Sequence, residues 1–180
     1  MTGVQTCALP IFTGWEKKQL NGKDVWAAKV TLPENAGPLR SLWVRGRRAV
    51  RARHPNAGYL VVDAVPEATG EWTKGVASFK FAGDDLKASP GLADGAEVVV
   101  MSRWVESRLP IKEVDEASKT VRFGKSSVFV VEKGDKYWAE GAGSFLDEPG
   151  EWQYDRGTST LYYCPRRGED MSRAEAVIRS

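Results

Sequence analysis

Short runs of apolar and β-branched residues, separated by clusters of Gly, Pro, Asn and Asp, dominate the pattern along this chain. Helical periodicity is sustained almost nowhere, and short runs bounded by turn residues are typical of β-strands. The pattern therefore predicts an all-β fold, a sandwich or distorted barrel of short antiparallel strands. The predicted strand segments are Val25–Thr31, Ser41–Arg53 (a hairpin), Tyr59–Val62, Ser78–Phe81, Glu97–Trp104, Arg108–Val114, Lys119–Phe123, Ser127–Val131, Glu151–Arg156, Thr160–Cys164 and Glu175–Ile178.

Two hairpins give the clearest local signal. Arg45 and Gly46 lie between two apolar arms, where glycine supplies the positive φ that a tight turn needs. Residues 157–159, Gly-Thr-Ser, connect the last two strong strand segments in the same way. Strand alternation in that second hairpin predicts that Trp152 points into the core and Gln153 points to solvent.

The first residues do not fit the strand pattern. Thr2–Ile11, TGVQTCALPI, resemble the translation of a sequencing-library adapter, so we interpret residues 1–11 as an artefactual segment that packs against nothing. Without Cys7 only Cys164 remains, which leaves no disulfide framework. The segment is uncharged, so the net charge of +2 also holds for residues 12–180 and favours neither nucleic acid nor an anionic membrane as partner.

Several motifs resemble a known carbohydrate-active family. The most specific is LDEPGEWQYDRGTSTLYYCPRRGEDM (Leu146–Met171), and SLWVRGRRAVRARHPN (Ser41–Asn56) is a second. FTGW (Phe12–Trp15) and the segment Ser102–Phe123 extend the resemblance over most of the chain. Together they are similar to the insertion domain of right-handed parallel β-helix proteins that resemble glycoside hydrolase family 141.

The resemblance implies both an organisation and a role. Residues 12–174 would form a β-rich insertion domain, and residues 175–180 would be the truncated start of the following β-helix, a strand without a partner. We expect a non-catalytic accessory domain of a secreted or periplasmic glycoside hydrolase, with the parent's β-helix and a polysaccharide or oligosaccharide as partners. A carbohydrate-binding module and a purely structural brace of the β-helix are the alternatives.

Acidic residues near the last hairpin raise the question of catalysis. A glycosidase needs two carboxyl groups about 5 to 9.5 Å apart, and Asp147, Glu148, Glu151 and Asp155 are candidates. Glu151 and Asp155 share one strand face but lie roughly 13 Å apart along an extended strand. We therefore interpret them as solvated or turn-fixing groups. No catalytic residue is assigned, since the resemblance implies catalytic groups on the β-helix.

A basic stretch is the strongest charge feature. Strand alternation places Arg47, Arg51 and Arg53 on one face and Val50 and Ala52 on the other. One hypothesis is that these arginines bind the carboxylates of uronic acids in a pectic polysaccharide, because guanidinium groups pair bidentately with carboxylate. The alternative is a solvated face whose arginine stems cover aromatic rings.

The chain has seven tryptophans, whose exposed rings could stack on sugars. Trp43 and Trp152 lie in strand segments and are expected in the core. Trp72, in the loop TGEWTKG, is the candidate for an exposed sugar contact or for a cap on the core edge. One histidine and one native cysteine cannot build the usual zinc site, and no nucleotide-binding motif occurs, so neither a metal nor a cofactor is predicted.

Overall fold

A computed structural model describes residues 11–32, 36–87 and 92–179, and among them all regular structure is strand apart from one short 3-10 turn at Gly143–Phe145. Strands β1 to β8 are Ile11–Phe12, Glu16–Leu20, Lys23–Lys29, Ser41–Val44, Arg47–Arg51, Arg53–His54, Leu60–Ala64 and Ser78–Phe81. Strands β9 to β15 are Glu97–Ser102, Val105–Asp115, Thr120–Phe123, Lys136–Glu140, Glu151–Asp155, Thr160–Tyr163 and Ala176–Arg179. The described segments contain no helix able to cross a membrane.

One part of the molecule is a closed barrel. Seven strands follow the order β6-β12-β7-β8-β11-β10-β9, and β12 also pairs with β9. Six of them, β7 to β12, therefore form a closed ring without free edges. Apolar side chains fill the interior, among them Phe79, Leu109, Val121 and Tyr137, each at most 1% exposed.

The other part is a curled, open sheet in the order β1-β15-β4-β5-β13-β14-β3-β2. Its pairings are antiparallel except for β5 with β13, which run parallel. Leu42, Trp152, Leu161, Tyr163 and Ile178 form much of its core. The prediction of an all-β sandwich or distorted barrel is thus confirmed, as a barrel joined to a curled sheet.

The local signals that were strongest in the sequence are confirmed. Strand β8 has the predicted bounds, Ser78–Phe81. Arg45 and Gly46 have φ angles of 49° and 75°, as a tight hairpin turn with two left-handed residues requires. Trp152 points inward and is 1% exposed.

Three side-chain or strand predictions are wrong. Ser127–Val131 is not a strand, because the Ser127 hydroxyl accepts from the Val76 N–H and donates to the Phe129 carbonyl, which ties the segment into a loop. Gln153 is only 7% exposed, since its face of β13 lies against the 3-10 turn at Gly143–Phe145. Trp43, expected in the core, is 39% exposed on β4.

Both ends of the described chain join the curled sheet. Residues 1–10 lie outside the described part, but Ile11 pairs through its backbone with Val177, so the expectation that residue 11 contacts nothing is wrong. Its side chain is nevertheless 67% exposed. The strand predicted to lack a partner, β15, pairs with β1 on one side and β4 on the other, which satisfies its backbone groups.

Candidate functional site

The chain crosses from the curled sheet to the barrel at Ala52, between β5 and β6. The Ala52 N–H donates to the Trp152 carbonyl of the curled sheet, while its own carbonyl accepts from Gly141, next to barrel strand β12. Ala49 and Arg51 are two residues apart on β5 and so share a face. Since Ala49 is buried, that face carries the Arg51 side chain inward, to the junction between the two sheets.

Arg51 forms a buried ion network at this junction. Its Nη1 lies 2.6 Å from Glu97 Oε2 and 2.9 Å from Glu140 Oε1, and its Nη2 donates to the Gly95 carbonyl at 3.0 Å. The Arg51 side chain is 13% exposed, and those of Glu97 and Glu140 are 5% and 9% exposed. Removing either partner of such a buried ion pair would strongly destabilise the fold, because the remaining charge would be buried without a partner.

Two further arginines complete the network. Arg40 contacts both carboxylate oxygens of Glu97, one of them at 3.0 Å from Nη2. Arg108 lies 2.6 Å from Glu140 and 2.7 Å from Glu106. Burial opposes ionisation of Glu97, but the hydrogen bonds from Arg40 and Arg51 outweigh it, so the pKa of Glu97 falls below its ordinary value.

Gly141 makes room for the Arg51 guanidinium. Its φ of 89° lies in the left-handed region, and a Cβ at this position would come within 2.4 Å of Arg51 Nη2. Both the backbone conformation and the close approach therefore favour glycine here.

A surface cleft of about 560 Å³ opens beside the network. It is lined by five arginines, by Glu140 and by the ring of Trp138. The five arginines are Arg40, Arg48, Arg51, Arg53 and Arg108. The volume falls within the range of about 300 to 1,000 Å³ that is usual for small-molecule sites, and we call this feature the arginine cleft.

Trp138 forms the aromatic side of the arginine cleft. The Arg53 guanidinium lies 4.9 Å from the ring centroid, and the indole Nε1 donates to Glu140 Oε2 at 3.0 Å. The ring of Tyr59, which is 51% exposed, lies 5.8 Å from that of Trp138. The cleft thus continues onto two neighbouring aromatic rings, one of them open to solvent.

The arginines predicted from the sequence separate in the structure. Arg51 and Arg53 meet in the cleft, whereas Arg47 is exposed at the β4–β5 turn and does not line it. The solvated-face interpretation is wrong for Arg51, which is held by two buried carboxylates. The same alternative also proposed that arginine side chains cover aromatic rings, and Arg53 does lie over the ring of Trp138.

Sequence reasoning missed Arg40, Arg108 and Trp138. Alternation indicates which face of a strand a residue occupies, but it does not indicate which distant strands become neighbours. Strand β9 forms a hairpin with β10 but meets β12 only through barrel closure. The strand that carries Trp138, KYWAE, follows the polar run Glu132–Asp135 and was not predicted at all. The available signal for this strand was its pair of aromatic residues, Tyr137 and Trp138, which are common in strands.

Trp72 lies outside the arginine cleft, in a separate aromatic cluster. Its ring is 6.0 Å from that of Trp104 and 5.6 Å from that of Phe129, and Arg103 lies over it at 5.8 Å. Trp72 is 47% exposed and Trp104 is 73% exposed. Trp72 is therefore partly exposed, as expected, and packs on neighbouring rings, while its role as a sugar contact stays a prediction.

The acidic residues near the last hairpin have structural partners. Glu151 is 3% exposed, and its carboxylate accepts from the backbone N–H groups of Asp147, Glu148 and Arg53. Of the two roles expected for it, solvated or turn-fixing, Glu151 therefore has the second. Burial raises the pKa of Glu151, against the effect of these hydrogen bonds. Asp155 fixes its turn by accepting from the Thr158 N–H and hydroxyl. No group of His, Cys, Asp and Glu able to hold a metal occurs among the described residues.

Comparison with known proteins identifies the family. The profile of the GH141 insertion domain matches residues 22–166. A solved structure named glycoside hydrolase has the same fold with a TM-score of 0.64 and 24% sequence identity, over 94% of this chain and 31% of that one. No curated protein sequence is similar enough to count as a match. The family profile covers most of the chain, and the chain therefore belongs to the GH141 insertion domain family.

Proposed function

We propose that this chain is a non-catalytic accessory domain of an extracytoplasmic β-helix glycoside hydrolase. The family profile and the structural neighbour support a domain of a glycoside hydrolase. The neighbour is about three times as long as the part this chain covers, since the covered share is 31%. The proposal also includes that the catalytic groups lie on the β-helix of the parent enzyme, and that this enzyme is secreted or periplasmic.

The observation that supports the non-catalytic role is that the buried carboxylates are already engaged in ion pairs or hydrogen bonds. Glu97 and Glu140 face arginines in the ion network, and an acid catalyst needs a carboxyl group that can hold and deliver a proton. Glu151 has the raised pKa of such a group, but it is buried and receives three backbone N–H groups. Its position is that of a loop anchor, and it does not line the arginine cleft.

Hydrolysis assays test this proposal directly. The purified chain should release no detectable product from aryl-glycosides or polysaccharides at any pH at which it is folded. Turnover that disappears in Glu151→Gln, or in Glu140→Gln, would contradict the proposal, because it would assign a carboxyl group to the reaction. Folding of each variant is checked by its thermal midpoint.

The aromatic cluster favours a second function, binding of neutral sugars. The exposed ring of Trp104 stacks on Trp72, which is also exposed, and on the half-buried Phe129, and exposed apolar patches commonly mark binding sites. Affinity electrophoresis through gels containing neutral polysaccharides tests this function. We expect retardation that Trp104→Ala abolishes and Trp43→Ala, which removes an exposed ring from the curled sheet, leaves unchanged. Equal retardation of the two variants would contradict a role of the cluster.

A further inference from the structure

The arginine cleft carries more positive charge than its own carboxylates balance. Five arginines line it, and the carboxylates paired with them are those of Glu97, Glu106 and Glu140. Five positive and three negative charges leave a local excess of two positive charges. The net charge of the whole chain is also +2, so the charges outside the cleft sum to zero.

Two of the five arginines have no carboxylate partner in the described part of the chain. Arg53 donates to the carbonyl oxygens of Pro55 and Gly58, which are neutral acceptors. Arg48 contributes its backbone carbonyl to Arg166, while its side chain is exposed and forms no ion pair with a described residue. Arg48 and Arg53 are therefore the cations available to a ligand, and Arg40, Arg51 and Arg108 hold the framework.

The cleft also offers ring surface beside this charge. Trp138 lines it, and the exposed ring of Tyr59 adjoins Trp138. Guanidinium groups bind carboxylate and sulfate through paired charge-assisted hydrogen bonds, and an aromatic face suits the apolar face of a sugar ring. A ligand that needs both features carries an anionic group on a pyranose ring.

We propose that the arginine cleft binds an anionic saccharide, with Arg48 and Arg53 contacting its carboxylate or sulfate group and Trp138 with Tyr59 contacting its ring. This inference rests on the proposed place of the chain in a carbohydrate-active enzyme, and it adds a ligand class and a site. It is independent of the aromatic cluster around Trp72, which lies elsewhere and would take neutral sugars.

The test follows the indole N–H signals of the tryptophans by NMR during titration with four probes. The probes are a short oligogalacturonate, its fully methyl-esterified form, a sulfated oligosaccharide and polyphosphate. Because methyl esterification removes the charge and keeps the sugar, the first two form a matched pair. We expect the Trp138 signal to shift with oligogalacturonate or the sulfated oligosaccharide, and which of them binds more tightly identifies the anionic group.

Variants connect the signal to the arginines. Arg48→Gln should weaken binding by at least about tenfold, as expected for loss of a hydrogen bond between charged partners, without changing the fold. Arg53→Lys keeps the charge but loses the planar fork and should weaken binding by a smaller factor. Arg47→Gln is the matched control and should change affinity by less than about twofold, because Arg47 is exposed to screening solvent outside the cleft.

Each contrary result has a distinct meaning. Equal binding of the methyl ester and the acid would overturn the anionic assignment. Binding of polyphosphate as tight as that of the saccharides would overturn the saccharide assignment. Shifts confined to Trp72 and Trp104, or no shift at all, would overturn the cleft as a site. None of these results involves hydrolysis, so the non-catalytic role is tested separately by the hydrolysis assays.

Discussion

The barrel and the curled sheet differ in how they treat their strand edges and cover their apolar side chains. The barrel closes its six strands into a ring, which leaves no strand edge and one continuous apolar interior. The curled sheet stays open, with β1 and β2 as its edge strands, and covers its core by bending over Trp152, Tyr163 and Ile178. Two separate apolar cores result, each built largely from one sheet.

The two parts are joined by buried charges as well as by apolar contacts. A small apolar cluster around Val25, Ala52 and Leu146 contributes, and beside it lies the Arg51 network. Arg51 belongs to the curled sheet, while Glu97 and Glu140 belong to the barrel. Apolar alternation therefore determines each part, and paired charges add to the apolar contacts that join the two parts.

Removing the largest side chain of the curled-sheet core should give the largest effect. Trp152 is 1% exposed, so Trp152→Ala should lower the free energy of unfolding by about 3 to 5 kcal/mol. Urea unfolding followed by circular dichroism measures this loss. Trp104→Ala, in which the lost ring is 73% exposed, is the matched control and should cost no more than about 1.5 kcal/mol. Similar losses in the two variants would contradict the assignment of Trp152 to the core.

The contrast between core and junction also explains how far sequence reasoning reaches. Alternation and turn chemistry act within a few residues, so β8, the Arg45–Gly46 turn and the inward Trp152 were predictable. Barrel closure pairs β9 with β12, two strands that are distant in the chain, and the contact of Arg51 with Glu97 joins residues 46 positions apart. Neither charge in that pair has a local signature, because each lies on a strand whose alternation suits an exposed polar residue equally well.

The junction should respond strongly to the loss of one charge. Glu97→Gln removes the carboxylate shared by Arg40 and Arg51 and should cost about 3 kcal/mol, the lower end for breaking a buried pair, since Arg40 is partly exposed. Equilibrium unfolding in urea measures the difference. Glu16→Gln removes the exposed partner of Lys18 and should change stability by less than about 0.5 kcal/mol. If both changes are equally mild, charge does not hold the two parts together.

Acid should weaken the junction before it weakens the cores. The pKa of Glu97 is lowered in the folded protein, so its ionised form adds stability above the ordinary value of 4.5, and this contribution is lost as pH falls through the lower folded pKa. The stability gap between the native chain and Glu97→Gln should therefore shrink below about pH 4.5. Unfolding curves at pH 7 and at successively lower pH test this. A gap that is constant with pH would show that Glu97 gives no charge-dependent stability.

Gln153 gives the smallest expected effect and tests the corrected orientation of β13. Its position between Trp152 and Tyr154 suggests solvent by alternation, yet it is 7% exposed because both faces of this strand are covered. Gln153→Ala should therefore cost about 1 to 2 kcal/mol, the usual range for a buried change that leaves an unfilled space. Gln19→Ala on the edge strand β2 removes the same side chain from an exposed position, where its bond to Asp24 lies in solvent, and should stay within about 0.5 kcal/mol. Denaturant midpoints that coincide for the two variants would place Gln153 at the surface, and the curled sheet would then bury only one face of its central strand.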